Sequence, residues 1–172
     1  MNSASLEMTP PPISGWERFW LSAVMVPLAL FEIWDSYMFF STLGMSETGS
    51  GFSGVLTKIY VLTHPFFAVA ALVCALAGRV RWAVVAMAGV VLGRWLSYVP
   101  GPNGSLAAKD LYVLLQPTIM LLVVPPVLAA GALALARSNQ LLGLATLLVA
   151  VPVIYINYEI ALFAIAVTIF GF

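Results

Sequence analysis

The residues in this chain best placed to do chemistry are carboxylates in an apolar setting. Glu32 and Asp35 stand three apart within FEIWDSYMFF, residues 31 to 40, a spacing that puts both on one side of a helix. In hydrocarbon each would cost a few kcal/mol or more unless it faced protein, water or a partner. Other polar residues interrupt apolar runs further on: His64 in VLTHPFF, Arg94 in VLGRWLS, Gln116 in LLQPTIM, and Asn157 and Glu159 in YINYEIAL. Paired acids beside an imidazole are the material of general acid–base catalysis. Intramembrane carboxylates with Arg and His equally serve proton and cation pathways.

The elements that position these residues follow from composition. Of 172 residues, 62% are hydrophobic and 8% charged, and mean hydropathy is +1.04; a soluble domain has about 45–50% apolar and about 25% charged residues. The chain is expected to be an all-α integral membrane protein. A crossing takes about 20 apolar residues, and five such stretches fall at about 17–43, 55–78, 82–99, 110–136 and 141–170. The expected fold is a five-transmembrane-helix bundle, joined by MSETGSGFSG, GRVR, PGPNGSLAA and RSNQ. Residues 1–15 read as a short polar tail, and residues 16–172 as a single transmembrane domain. The fifth span is long enough to tilt or to bend at Pro152. With five spans, Arg18, Arg79, Arg81 and Arg137 fall on one side, and Lys58 and Lys109 on the other. The excess of positive charge marks the cytoplasmic side. The N-terminus is therefore expected in the cytoplasm and the C-terminus on the outer or luminal face.

Several function classes drop out. Formal net charge is zero, which argues against nucleic acid as a partner, and no basic run is present to grip anionic lipid. Cys74 is the one cysteine, so no intrachain disulfide forms. No Cys/His ligand spacing, phosphate-binding glycine loop or nucleophile elbow occurs, and one histidine cannot supply both axial ligands of a bis-histidine haem. No cofactor and no metal are expected.

Helical rise, about 1.5 Å per residue, gives the depth of each polar residue. Counted from the expected cytoplasmic ends, Glu32 and Arg94 lie about 18 Å in, His64 about 21 Å and Asp35 about 22 Å. Tyr155, Asn157 and Glu159 follow at roughly 21, 24 and 27 Å. Four helices thus contribute to one slab, with Gln116 nearer the outer mouth. The residues can simply pair to hold the bundle, with Arg94 against Asp35 or Glu32 and Asn157 as an interhelical hydrogen bond. Charge counting asks for more. The slab holds three carboxylates, Glu32, Asp35 and Glu159, and one permanent cation, Arg94. Like charges in a poor dielectric push one another toward neutrality, so at least one acid should stay protonated near neutral pH. Trp34, Trp95 and Tyr155 are expected as aromatic walls. Acids within aromatic walls suit an apolar ligand with one polar handle.

VPLALFEIWD, HPFFAVAALVCALAGRVRW, RWLSYVP and QPTIMLLVVPP resemble the EXPERA family, which contains emopamil-binding protein and the sigma-two receptor. The resemblance covers about residues 24–128. It implies a helical intramembrane cavity that binds or isomerises sterols, with an olefin protonated by buried acids. Glu32 or Asp35 would match the acid of the family's first span. The second-span acid has no counterpart, the third-span histidine falls near Gly93 or Arg94, and the fifth span is additional, with Glu159 as a substitute acid.

The leading expectation is an intramembrane pocket for a membrane lipid or a sterol- or isoprenoid-like molecule, with acid-catalysed isomerisation or cyclisation inside it. In that pocket Glu32 and Asp35 act as acid and base, Glu159 as second acid and His64 as proton relay. Arg94, Trp34, Trp95, Tyr155, Asn157 and Gln116 hold the ligand. Two alternatives stand beside it. One is a proton- or cation-conducting transporter or channel subunit, which would have to oligomerise. The other is a non-catalytic accessory subunit of a larger membrane complex.

Overall fold

Ser14 starts the first helix. Its hydroxyl oxygen accepts the amide of Glu17 at 3.1 Å, and its carbonyl accepts the amide of Arg18. Ser-Gly-Trp-Glu is thus a capping sequence in which a side chain satisfies one of the amides that an α-helix leaves orphaned. A computed structural model describes residues 13–42, 51–98, 123–138 and 141–170, and among them every regular element is a helix. These are α1 (Gly15–Thr42), α2 (Gly51–Leu76), α3 (Val80–Tyr98), α4 (Val124–Ser138) and α5 (Leu142–Phe170). Four begin and end close to the expected spans. The fourth span was expected from residue 110, and its first part lies outside the described residues. The helix α5 runs unbroken through Pro152.

The link between α2 and α3 is dictated by one glycine. Gly78 adopts a φ of 66°, a left-handed conformation that a side chain would strain. Its amide bonds to the Ala75 carbonyl, and the Arg79 amide reaches back to that of Cys74 at 2.8 Å, which closes the end of α2. The Arg79 carbonyl then accepts the amides of Trp82 and Ala83. The chain therefore turns directly from one helix into the next.

α3 is the hub. It packs against each of the other four helices, which follow one another around it in the order α2, α1, α5, α4. Accordingly it is buried on most sides, through Ala83, Val84, Ala86, Met87, Ala88, Val90 and Val91. Small residues let the backbones approach: Ala68, Ala71 and Ala75 on α2, Ala129, Ala132 and Ala136 on α4, and Ala145 on α5 are all buried, as in helix pairs that associate by close packing. Gly89 marks the tightest place. A Cβ built there would lie 2.7 Å from the Phe67 ring.

Two helical stretches, Gly15–Tyr37 and Gly54–Leu76, are long and apolar enough to cross a membrane. Only 28% and 33% of their most apolar windows are buried in the protein, and Phe19, Leu30, Leu62, Phe66, Val69 and Val73 point outward. Val124–Arg137 and Leu142–Tyr155 are shorter apolar stretches.

Candidate functional site

The centre of the bundle is polar. Glu32, Asp35 and Ser36 come from α1, His64 from α2, Arg94 from α3 and Asn157 from α5, and all six are buried. Glu32 is the most enclosed, with 1% of its surface exposed. One carboxylate oxygen, Oε2, faces His64 Nε2 at 2.8 Å and accepts from Arg94 Nη1 at 3.5 Å. The other, Oε1, accepts from Asn157 Nδ2. Asn157 Oδ1 in turn accepts from Arg94 Nη1 at 2.7 Å. With its oxygen toward the guanidinium and its nitrogen toward the carboxylate, the amide orientation is settled by its partners. Asp35 Oδ2 stands 3.2 Å from Arg94 Nη2. This is an ion pair without hydrogen-bond alignment, since the same oxygen makes no aligned bond.

Ser36 extends the network in a way the sequence reading missed. Its hydroxyl lies 2.7 Å from the Glu32 carbonyl and 2.6 Å from His64 Nδ1. The signal was present: Ser36 follows Glu32 by four, so the two share a helix face.

Counting hydrogens along this chain gives a charge state. A carbonyl only accepts, and a hydroxyl has one hydrogen. For the Ser36–Glu32 contact to be a bond, the serine must donate to the carbonyl. The contact with His64 then requires a hydrogen on Nδ1. A further hydrogen lies between His64 Nε2 and Glu32 Oε2, on one side or the other. With Asp35 ionised against the guanidinium 3.2 Å away, two negative charges over Glu32, Asp35, His64 and Arg94 meet that guanidinium and the one additional proton. The cluster is then neutral, as a group of charges shut away from water should be.

Glu32, Asp35 and His64 present donor atoms within 4.8 Å of one another, close enough to ligate a metal ion together. The Arg94 guanidinium also reaches both carboxylates. Ion pairing and proton sharing are therefore open to these donors beside metal ligation.

The other expected site residues are placed as follows. Trp34 and Tyr155 stand on outward faces, 44% and 53% exposed, rather than around the acids. Each is two positions from a cluster member, Glu32 or Asn157, and two steps along a helix turn a side chain about 200° away. Trp95 is half-buried beside Arg94. Gln116 and the side chain of Glu159 lie outside the described residues.

An apolar groove does reach the cluster from the side. It has a volume of about 320 Å³ and lies between α1 and α5, lined by Pro27, Leu28, Phe31, Val153, Ile154, Asn157 and Tyr158. Asn157 therefore touches both the groove and the buried acid.

No family model matches this chain, and no curated protein or solved structure matches it.

Proposed function

We propose that this is a five-span integral membrane protein that holds an apolar lipid-, sterol- or isoprenoid-like molecule in the groove between α1 and α5. The observation that carries the reading is Asn157, which lines that groove while its amide bonds to Glu32 and Arg94. Greasy walls with one convergent polar group describe a site for an apolar ligand with a polar handle. A primary amide has two donor hydrogens and two acceptor lone pairs, so Asn157 keeps one of each for the ligand. The membrane setting draws on the low burial of α1 and α2: the core helix of a soluble protein would be mostly covered. Orientation follows the arginines, with Arg18, Arg79, Arg81 and Arg137 toward the cytoplasm.

The proton between His64 and Glu32 gives the site a reactive part. Delivered to a double bond of the ligand, it would form a C–H bond and leave a carbocation beside an anionic Glu32–His64 pair. That pair would take back a proton from the neighbouring carbon as the new double bond or ring forms. Asp35 and Arg94 keep the surroundings neutral while the proton moves. The resemblance of residues 24–128 to the EXPERA family points the same way.

A second reading rests on the hydrogen-bonded series Ser36–His64–Glu32, which is also the beginning of a proton path in a transporter subunit.

Lipid extraction from purified full-length protein, followed by mass spectrometry, tests the proposal. One apolar species should be enriched over the bulk lipid. Ile154→Trp, at an exposed groove position, should remove it without loss of thermal stability. Glu32→Gln should keep the ligand and change its turnover. Bulk lipid composition in every variant would defeat the reading. Proton flux into liposomes that Glu32→Gln abolishes would favour the second.

A further inference from the structure

A second site lies at the other end of α1, about 21 Å along the helix from Glu32, and does not depend on the groove. We propose that Arg18, Arg79 and Arg81 bind a phosphate-bearing anion, from an anionic lipid headgroup or from free phosphate.

The three arginines line one cavity of about 380 Å³, together with Val80, Trp82 and Leu142. No basic run announces it, because Arg18 belongs to α1 and the other two to the α2–α3 turn. The turn itself brings them together. Gly78 has no side chain, and the stem of Arg18 lies across it: a Cβ there would be 3.3 Å from Arg18 Cδ. The closure of α2 at Gly78 leaves Arg79 and Arg81 flanking the first residue of α3.

Among the described residues, the ion pairs to carboxylates are those of His64 and Arg94; none involves Arg18, Arg79 or Arg81. Three like charges around one cavity repel, and an anion between them removes that repulsion. The guanidinium fork matches phosphate oxygens in pairs, which makes phosphate the fitting anion. The first turn of α3 opens on the same cavity through Val80 and Arg81, and the positive end of a helix dipole adds to the attraction. Arg81 also lies over the Trp82 ring, 5.6 Å from its centroid, with Trp82 exposed. An indole beside cations is the pairing found at membrane surfaces. With three positive charges, a phosphomonoester such as phosphatidic acid fits better than a zwitterionic headgroup.

The test uses full-length protein in nanodiscs of phosphatidylcholine containing a minor fraction of phosphatidic acid, with retained lipid read by native mass spectrometry. Wild type should retain phosphatidic acid selectively. Arg79→Gln with Arg81→Gln should lower retention about tenfold or more, the loss expected for charge-assisted hydrogen bonds. Arg137→Gln, at the same end but outside the cavity, should leave it unchanged. All three cavity arginines are exposed, so unchanged melting temperatures should show that the fold is intact. Calorimetry with inorganic phosphate separates the sources. Saturable binding lost in the double variant marks free phosphate, and lipid retention without phosphate binding marks the headgroup. Equal retention in wild type and the double variant, an equal loss in Arg137→Gln, or full retention in Arg79→Lys with Arg81→Lys would overturn the site.

Discussion

Glu32 Oε2 and His64 Nε2 stand 2.8 Å apart across the α1–α2 interface, with 1% and 2% of their residues' surfaces exposed. Both groups are closed off from bulk solvent. Ser36 holds the far side of the imidazole, so the proton count of the pair is written into its neighbours.

The first prediction concerns that count. His64 should carry a hydrogen on Nδ1, whichever partner holds the hydrogen between Nε2 and Glu32. Solid-state NMR on protein with isotope-labelled histidine nitrogens reads this directly. A bare Nδ1, with the hydrogen confined to Nε2, would show that Ser36 donates to the ring instead and would break the accounting. Ser36→Ala leaves a buried partner unsatisfied and should cost about 1–3 kcal/mol.

Arg94 carries the second. It faces Asp35 at 3.2 Å, Glu32 at 3.5 Å and Asn157 at 2.7 Å. Arg94→Leu should destabilise by about 3–5 kcal/mol, because the carboxylates lose their countercharge while still buried. Adding Asp35→Asn removes one of the stranded charges and should recover part of the loss. Strictly additive losses in unfolding experiments would mean that the two side chains do not interact.

The third tests packing away from the charges. Gly89→Ala places a methyl 2.7 Å from the Phe67 ring, and overpacking of this kind costs about 1–3 kcal/mol. Phe67→Ala in the same protein should relieve the clash, so the double variant should be more stable than the sum of the single losses indicates. A neutral Gly89→Ala would show that α2 and α3 separate there without penalty.

The fourth concerns orientation. Reporter fusions at residues 80 and 138 should report the cytoplasm, and fusions at 104 and 172 the opposite side. A cytoplasmic signal at 172 would remove one crossing from the five-span proposal.

Depth was legible in the sequence because helical rise is uniform: Glu32, Asp35, His64, Arg94 and Asn157 share a level and meet in the structure. Rotation was legible too: it puts Glu32 and Asp35 on one side of α1 and turns the flanking aromatics away. Trp34 lies two residues after Glu32, and Tyr155 two before Asn157; that offset sends both to the outer face. Ser36 was overlooked because a serine four residues from an acid becomes informative only when the histidine opposite it is known. The arginine cavity was hidden for another reason. It is assembled by the glycine turn between α2 and α3, and linear spacing says nothing about which helix end that turn meets.

The place of α3 at the hub has a consequence for biosynthesis. In the five-span proposal α3 crosses the bilayer with Arg94 in its second half, before Tyr98. A charged residue within a span makes that span enter a bilayer poorly by itself. The carboxylates that neutralise Arg94, Glu32 and Asp35, both lie on α1, a helix made earlier. The nascent chain can therefore hand α3 a ready countercharge before α4 and α5 exist, with Asn157 arriving last to close the cluster. In an insertion assay, α3 should integrate efficiently behind α1 and α2, and poorly behind the same helices carrying Glu32→Ala and Asp35→Ala.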